Sequence, residues 1–110
     1  MASEQDRRLL VLGDSISAAY GMSLEQGWVA MLDKELADND ANIQVINASI
    51  SGETTVGGLR RLPGLLAEHN PRLVVIELGG NDGLRGYPLE QVQSNLSQMV
   101  QLSIDSGARV

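Results

Sequence analysis

Three short segments rich in glycine and small polar residues contain the side chains that could do chemistry. They are GDSIS (residues 13–17), NASISGET (residues 47–54) and GGNDG (residues 79–83). Ser15 offers a hydroxyl nucleophile, Gly52 a backbone N–H that no side chain obstructs, and Asn81 a side-chain amide donor. A hydroxyl beside converging N–H donors is typical of acyl transfer, because the donors stabilise the oxyanion of the tetrahedral intermediate. The residue types therefore predict a nucleophile with an oxyanion hole.

Alternating strand-like and helix-like patterns position these segments. Short apolar runs predict three strands, at residues 9–12, 43–46 and 73–78. Apolar residues at helical spacing predict three helices, around residues 28–36, 59–66 and 89–100. Pro63 and Gly64 interrupt the second helical pattern, so we expect a kink or a restart there. The order β-α-β-α-β-α predicts a parallel sheet with right-handed crossovers and helices on both faces.

Each of the three polar segments follows one predicted strand. Ligands of an open parallel sheet bind beyond the carboxyl ends of its strands, so all three segments are expected on one rim. Ser15 is expected where the first strand turns into the first helix, whose N-terminal N–H groups are free, and Gly13 permits a tight backbone there.

The same three segments, in this order, resemble the first three sequence blocks of the SGNH (GDSL) hydrolase family. The surroundings, such as ELGGNDGLRG at residues 77–86, are similar to its bacterial branch of thioesterase I, arylesterase and lysophospholipase enzymes. The resemblance implies a flavodoxin-like doubly wound parallel sheet (α/β). It implies hydrolysis of a small carboxylic ester or acyl thioester through an acyl-enzyme on Ser15, without a metal or an organic cofactor. It assigns the oxyanion hole to the Ser15 N–H, the Gly52 N–H and the Asn81 side chain.

Charged residues near these segments are expected to have supporting roles. Asp14 and Asp82 are expected to hold their own loops through hydrogen bonds from backbone N–H groups, and the alternative is a role as general base. Glu53 is expected to be solvated. Arg60 and Arg61 are expected on an exposed helix face, with substrate contact as the alternative.

The general base is the missing part of the predicted site. The family's fourth motif, a C-terminal Asp-x-x-His, does not occur, and His69 is the single histidine of the chain. His69 precedes the third predicted strand, whereas Asn81 follows it, and six residues of strand span about 20 Å. His69 is therefore expected to be a helix C-terminal residue rather than the base. Because a serine needs an adjacent base, we expect severely impaired turnover from these 110 residues alone.

Composition excludes several classes of partner. The chain has 110 residues, a formal net charge of −6 and no cysteine. An acidic chain without a basic patch is not expected to bind nucleic acid or an anionic membrane. Without cysteine, neither a disulfide nor a thiolate metal site can form. No apolar run approaches the roughly 18–20 residues that span a bilayer.

The two ends of the chain limit what can be said about compartment and assembly. Residues 1–8 are expected to be disordered or expression-derived and lack the apolar stretch of a signal peptide, which leaves a cytoplasmic location open. The family resemblance implies a periplasmic or secreted one. Residues 9–110 are expected to form the N-terminal portion of a single domain, with a sheet that ends before its fourth strand although residues 108–110 look like the start of one.

An unpaired sheet edge favours association with another polypeptide. The alternative function is therefore a non-catalytic binding module, which forms a homo-oligomer or accepts a complementing C-terminal segment at that edge. Nucleotide binding is disfavoured, because neither G-x-G-x-x-G nor a Walker-type G-x-x-x-x-G-K-[ST] occurs.

Overall fold

The computed structural model describes residues 7–39 and 41–110 of the chain. It contains three strands, β1 (Arg8–Gly13), β2 (Gln44–Asn47) and β3 (Leu73–Glu77). It contains four helices, α1 (Trp28–Asp38), α2 (Thr55–His69), α3 (Gly80–Leu84) and α4 (Leu89–Asp105). One short 3₁₀ turn, Leu24–Gln26, precedes α1. Among the described residues, no helix combines the length and apolarity needed to cross a bilayer.

The three strands form a parallel sheet in the order β2-β1-β3. The central strand, β1, pairs with β2 from Arg8 to Val11 and with β3 from Leu9 to Gly13. Gly13 is the register partner of Glu77, so β1 and β3 end side by side. The predicted parallel sheet is confirmed, and the loops that follow the carboxyl ends of its strands lie on one rim.

Both faces of the sheet are covered by helices, because the side chains of β1 alternate between two apolar clusters. The cluster beneath α2 and α4 consists of Leu10, Leu12, Leu62, Leu66, Val74, Met99 and Ala108. The cluster beneath α1 has Leu9, Val11 and Val29 as its buried members. Each fully buried side chain of this kind contributes about 1.5–3 kcal/mol to folding. The doubly wound α/β architecture is therefore confirmed.

Helix α2 runs through Pro63 without interruption, so the expected restart at Pro63 and Gly64 is wrong. Both residues are exposed, whereas Leu62 and Leu66 are buried against the sheet. The proline removes one helical hydrogen bond on the solvent side, and the buried leucines keep the helix packed.

Strand β1 begins one residue earlier than predicted, at Arg8. The backbone of Arg8 pairs with Gln44, and Arg8 Nη1 donates to the His69 carbonyl oxygen at 2.7 Å. The expectation of a disordered N-terminus is therefore wrong for Arg8, while its part on residues 1–6 lies outside the described residues.

Arg109 lies beside β3 in a parallel bridge with Leu73. Its N–H donates to the Arg72 carbonyl oxygen at 2.8 Å, and its own carbonyl oxygen accepts from the Val74 N–H at 2.7 Å. The expected start of a further strand is therefore present at the edge of β3.

Candidate active site

The loop that follows β2 lies against the end of β1. We call residues 48–54 the glycine loop. The Ala48 N–H donates to the Val11 carbonyl oxygen at 2.8 Å, and the Ile50 N–H donates to the Gly13 carbonyl oxygen at 3.0 Å. These bonds continue the sheet pairing beyond β2, and they bring the glycine loop beside the turn that contains Ser15.

The segment after β3 closes the other side of the rim. We call residues 79–84 the asparagine segment. The Asn81 Nδ2 donates to the Glu53 carbonyl oxygen at 2.9 Å, which joins this segment to the glycine loop. A Cβ added to Gly80 would lie 3.9 Å from Asp14 Oδ2, so the segment lies close to the turn after β1. The fold thus places all three predicted segments on one rim.

Ser15 lies in a turn rather than at the start of a helix. The serine turn, residues 14–21, is closed by a hydrogen bond from the Tyr20 N–H to the Ser15 carbonyl oxygen at 3.0 Å. Helix α1 begins only at Trp28, because backbone such as Ala19, with a φ of 62°, cannot continue an α-helix. Within the described residues, no hydrogen bond has the Ser15 N–H or Oγ as its donor.

Gly52 has a backbone conformation that favours glycine. Its φ is 84°, in the left-handed region that favours glycine. Its carbonyl oxygen accepts a long bond of 3.4 Å from Arg85 Nη2, while no hydrogen bond among the described residues uses the Gly52 N–H as donor. The N–H is therefore free to bind a ligand.

The carboxyl group of Glu77 holds the serine turn through two hydrogen bonds. Glu77 Oε1, at the end of β3, accepts from Ser17 Oγ at 2.8 Å and from the Asp14 N–H at 3.3 Å. Ser17 Oγ also accepts from Trp28 Nε1 at 3.0 Å. A Cβ on Gly13 would lie 2.6 Å from Ser17 Oγ and 2.9 Å from Glu77 Oε1, so only glycine fits at that position.

Sequence reasoning did not assign a role to Glu77. Its signal was a single acidic residue at the end of an otherwise apolar strand. Burial raises the pKa of the Glu77 carboxyl, the hydrogen bond from Ser17 opposes that shift, and the Asp14 carboxyl adds to it. The proton is therefore lost at a higher pH than from an ordinary glutamate.

The two predicted support residues hold different elements. Asp14, 4% exposed, accepts from the Ile16 N–H at 3.0 Å through Oδ1 and so holds its own turn. Asp82, 1% exposed, instead accepts from the Thr55 N–H at 2.9 Å and from Thr55 Oγ1 at 2.7 Å. Asp82 thus holds the start of α2, not its own loop, because α2 presents unpaired N–H groups there. Asn95 Nδ2 extends the network to Thr55 Oγ1 at 3.0 Å.

Glu53 and Arg61 differ from their expected positions. The Glu53 side chain is only 12% exposed, and its Oε2 lies 3.1 Å from Arg61 Nη1. Arg61 Nη2 also donates to the Ala48 carbonyl oxygen at 2.8 Å. The expectations that Glu53 is solvated and that Arg61 is exposed are therefore wrong, because the pair joins the two ends of the glycine loop. Arg60 is exposed, as expected.

His69 lies away from this rim, as expected. It is the last residue of α2, and its Nε2 lies 3.7 Å from Glu68 Oε2. The five residues of β3 separate the amino end of the sheet from the asparagine segment by about 17 Å. Within residues 7–39 and 41–110, no three His, Asp or Glu side chains are grouped to hold a metal ion.

Comparison with protein families and curated relatives gives consistent matches. The family described as the GDSL-like Lipase/Acylhydrolase family matches residues 11–110. Esterase TesA of Pseudomonas aeruginosa is 62% identical over 102 residues, covering 93% of this chain and 51% of that protein. An arylesterase of Vibrio mimicus is 54% identical over 109 residues, covering 99% of this chain and 54% of its own. This chain therefore spans about half the length of these relatives.

Solved structures show the same fold. A crystal structure of TesA aligns with a TM-score of 0.90 at 61% identity, covering 92% of this chain and 56% of that chain. A psychrotrophic esterase EstA from Pseudoalteromonas sp., in a structure inhibited by monoethylphosphonate, aligns with a TM-score of 0.89 at 50% identity, covering 94% of this chain and 56% of that chain. The arrangement of strands and helices described above is thus shared with solved esterases.

Proposed function

This chain belongs to the GDSL-like lipase/acylhydrolase family, and on that premise we propose that it supplies the nucleophile and the oxyanion hole of an ester hydrolase. The substrates are small carboxylic esters or acyl thioesters. Ser15 Oγ attacks the acyl carbon, the bond from that carbon to the alcohol oxygen or thiol sulfur breaks, and the alcohol or thiol leaves with the proton that Ser15 has lost. Water then hydrolyses the acyl-enzyme, which releases the acid and restores the Ser15 hydroxyl. The N–H groups of Ser15 and Gly52, together with Asn81 Nδ2, bind the oxyanion.

The observation that carries this proposal is a set of open donors on one rim. The N–H groups of Ser15 and Gly52 serve as donors in no hydrogen bond of the described residues. Asn81 Nδ2 uses one of its two hydrogens for the Glu53 carbonyl oxygen, which leaves the second for a ligand. Each well-placed donor to an oxyanion is worth about 3–4 kcal/mol of transition-state stabilisation.

The names of the relatives support the same class of reaction. They are an esterase, an arylesterase and, in Escherichia coli, a thioesterase 1/protease 1/lysophospholipase L1 that is 50% identical over 93 residues. An oxyester and a thioester differ in the leaving group but share the acyl carbonyl that this rim would bind. The periplasmic or secreted location that the family resemblance implies stays a prediction.

Activation of Ser15 is the step that this chain is least equipped to perform. The single histidine, His69, lies at the amino end of the sheet. Enzymes without their catalytic base keep about 10³–10⁴-fold rate enhancement over water from the oxyanion hole and binding alone. We therefore expect slow hydrolysis of p-nitrophenyl butyrate by these 110 residues.

Labelling with a fluorophosphonate tests the assignment of Ser15, because the oxyanion hole binds the phosphoryl oxygen of the reagent and favours phosphonate ester formation at Ser15 over other serines. Without a neighbouring base the reaction is expected to be slow, so it is followed over a long incubation and compared with the other serines of the chain. The expected result is one label, located at Ser15 by mass spectrometry and absent from Ser15→Ala. Ser23→Ala, which removes an exposed hydroxyl eight residues away, should label at the wild-type rate. Labelling that survives Ser15→Ala would remove Ser15 from the mechanism.

Self-association is a second candidate function, favoured by one feature of the β3 edge. A groove of about 420 Å³ between β3 and α4 is lined by apolar residues, namely Val74, Val75, Ile76, Leu96, Val100 and Val110. In the described chain, the outer edge of β3 carries only the bridge to Arg109. A second copy that pairs there would give a dimer in light scattering, whereas a monomer of 11.8 kDa would contradict this candidate.

A further inference from the structure

Glu77 binds the serine turn on both sides of Ser15. Its Oε1 accepts from the Asp14 N–H, which directly precedes Ser15, and from Ser17 Oγ, two residues after it. Only Ser15 and Ile16 lie between the two points of attachment. The register pairing of Gly13 with Glu77 brings the carboxyl group directly beneath this turn.

We propose that Glu77 is a positioning residue for Ser15, whose carboxyl group sets the orientation of the serine turn toward the glycine loop and the asparagine segment. This inference rests on the proposed role of Ser15 as nucleophile. Displacing a reacting group by about 1 Å can cost 10²-fold in rate, so a residue that fixes the turn affects reactivity without touching the substrate.

The surroundings of Glu77 leave the carboxyl little freedom. Ser17 is 1% exposed, and its Oγ is held by Trp28 Nε1 from α1. The Ser17 carbonyl oxygen accepts from Asn47 Nδ2 at 2.8 Å, at the end of β2. The carboxyl therefore connects β3 to the serine turn within a network that also includes α1 and β2, and a change at Glu77 passes to the backbone of Ser15.

Titration of Glu77 provides a readout that a purely structural side chain would not give. Asp14 is the titratable group that faces Glu77, whereas Ser17 is neutral, Gly13 has no side chain and Trp28 reaches the network only through Ser17. Burial and the Asp14 carboxyl raise the pKa of Glu77. Ionisation of Glu77 should therefore change the chemical shifts of the backbone N–H groups in the serine turn. The change should occur at a pH above the usual pKa range of a glutamate.

Two substitutions separate the hydrogen bonds of Glu77 from its charge. Glu77→Gln keeps an oxygen that can accept from both donors but cannot ionise, whereas Glu77→Ala removes the acceptor. Glu90→Gln is the matched control, since Glu90 is exposed in the first turn of α4. Ser17→Ala removes one attachment and replaces Glu77→Ala if circular dichroism shows that the alanine variant is unfolded.

Two measurements are made on the complete 110-residue chain. The first is the rate of fluorophosphonate labelling of Ser15: we expect about a tenfold or larger loss in Glu77→Ala, a rate within about threefold of wild type in Glu77→Gln, and no change in Glu90→Gln. The second is the pH titration of the amide NMR signals of residues 14–16. In the wild type and in Glu90→Gln, these signals should shift with a midpoint pH above the pKa of an ordinary glutamate. In Glu77→Gln this transition should be absent.

The two measurements distinguish failure of this inference from failure of the proposed function. Wild-type labelling rates in Glu77→Ala, or in the replacement variant Ser17→Ala, would overturn the inference. An amide titration that is the same in the wild type and in Glu77→Gln would also overturn it. If the wild type is not labelled at Ser15 at all, the proposed nucleophile fails. The amide titration then decides by itself whether Glu77 controls the turn.

Discussion

The two ends of the parallel sheet are stabilised by different kinds of interaction. At the carboxyl end, buried or half-buried acidic side chains hold the loops. The pairs are Asp82 with Thr55, Glu77 with Ser17 and Glu53 with Arg61. Asp82 and Glu53 lie in the segments that contain Asn81 and Gly52, and Glu77 contacts the turn that contains Ser15.

At the amino end, main-chain hydrogen bonds join β1, β3 and residue 109. The Arg72 N–H donates to the Arg8 carbonyl oxygen at 3.0 Å, and the Arg109 N–H donates to that of Arg72 at 2.8 Å. The side chains at this end are basic, and Arg8 Nη1 binds the last carbonyl of α2 at His69. Main-chain bonds of this kind extend the sheet.

Side-chain hydrogen bonds and ion pairs are concentrated at the carboxyl end of the sheet. Loops at the carboxyl end have irregular backbone, so side chains must satisfy their N–H groups and fix their shape. That dependence makes the rim sensitive to single substitutions, whereas the amino end should tolerate them. The single histidine, His69, lies at the amino end of the sheet, away from the predicted site.

The largest effect is expected from Asn81→Ala. Removing one donor to an oxyanion costs about 10²–10³-fold in rate, so labelling of Ser15 by fluorophosphonate should slow by about that factor. His69→Gln, at the opposite end, should change the rate by less than about twofold. Equal effects of the two substitutions would abolish the functional distinction between the ends.

Asp82→Ala should lower the free energy of unfolding by about 2–4 kcal/mol, because the Thr55 N–H and hydroxyl lose a buried acceptor. Asp82→Asn should cost less, since its side-chain oxygen still accepts one of the two bonds. Urea unfolding followed by circular dichroism measures both. A loss below about 0.5 kcal/mol in the alanine variant would show that Asp82 does not hold α2.

Two glycine substitutions compare the crowded rim with open helix surface. Gly13→Ala places a methyl group 2.6 Å from Ser17 Oγ and should cost about 1–3 kcal/mol. Gly64→Ala, in α2, meets no atom within 4 Å and should stabilise the chain by about 0.5–1 kcal/mol. Thermal unfolding distinguishes the two, and a neutral Gly13→Ala would contradict the close contact.

The smallest effect concerns the pH dependence of stability. Because the pKa of Glu77 is raised in the folded chain, its protonated form favours folding, and that contribution is lost as pH rises through the folded pKa. Glu77→Gln should therefore become more stable relative to wild type as the pH rises above the usual pKa range of a glutamate. Urea unfolding across this range measures the difference, and a constant difference would show that Glu77 does not titrate in the fold.

The elements of the fold could be predicted where apolar periodicity was strong. The third predicted strand, residues 73–78, matches β3 within one residue, and the third predicted helix, around residues 89–100, lies within α4 and shares its first residue. Helix α3 was not predicted, because its sequence GNDGL is rich in glycine and typical of a loop. Its Asn81 side chain connects it to the glycine loop at the Glu53 carbonyl oxygen, a contact that the local sequence does not indicate.

The candidate site could be predicted only to the level of segments. Small polar residues after each strand placed Ser15, Gly52 and Asn81 on one rim. The contacts that shape the rim join residues far apart in the chain, such as Glu77 with Ser17, which are 60 residues apart. The same holds for Asp82, whose partner in α2 is 27 residues away, since single-sequence periodicity contains no information on such pairs.

A crystal structure of the phosphonylated chain would show whether Ser15, Gly52 and Asn81 bind one oxygen. We expect a phosphorus bonded to Ser15 Oγ, with its unesterified oxygen about 2.7–3.1 Å from the N–H nitrogens of Ser15 and Gly52 and from Asn81 Nδ2. A phosphonyl oxygen that points to solvent, with Gly52 or Asn81 directed elsewhere, would contradict it.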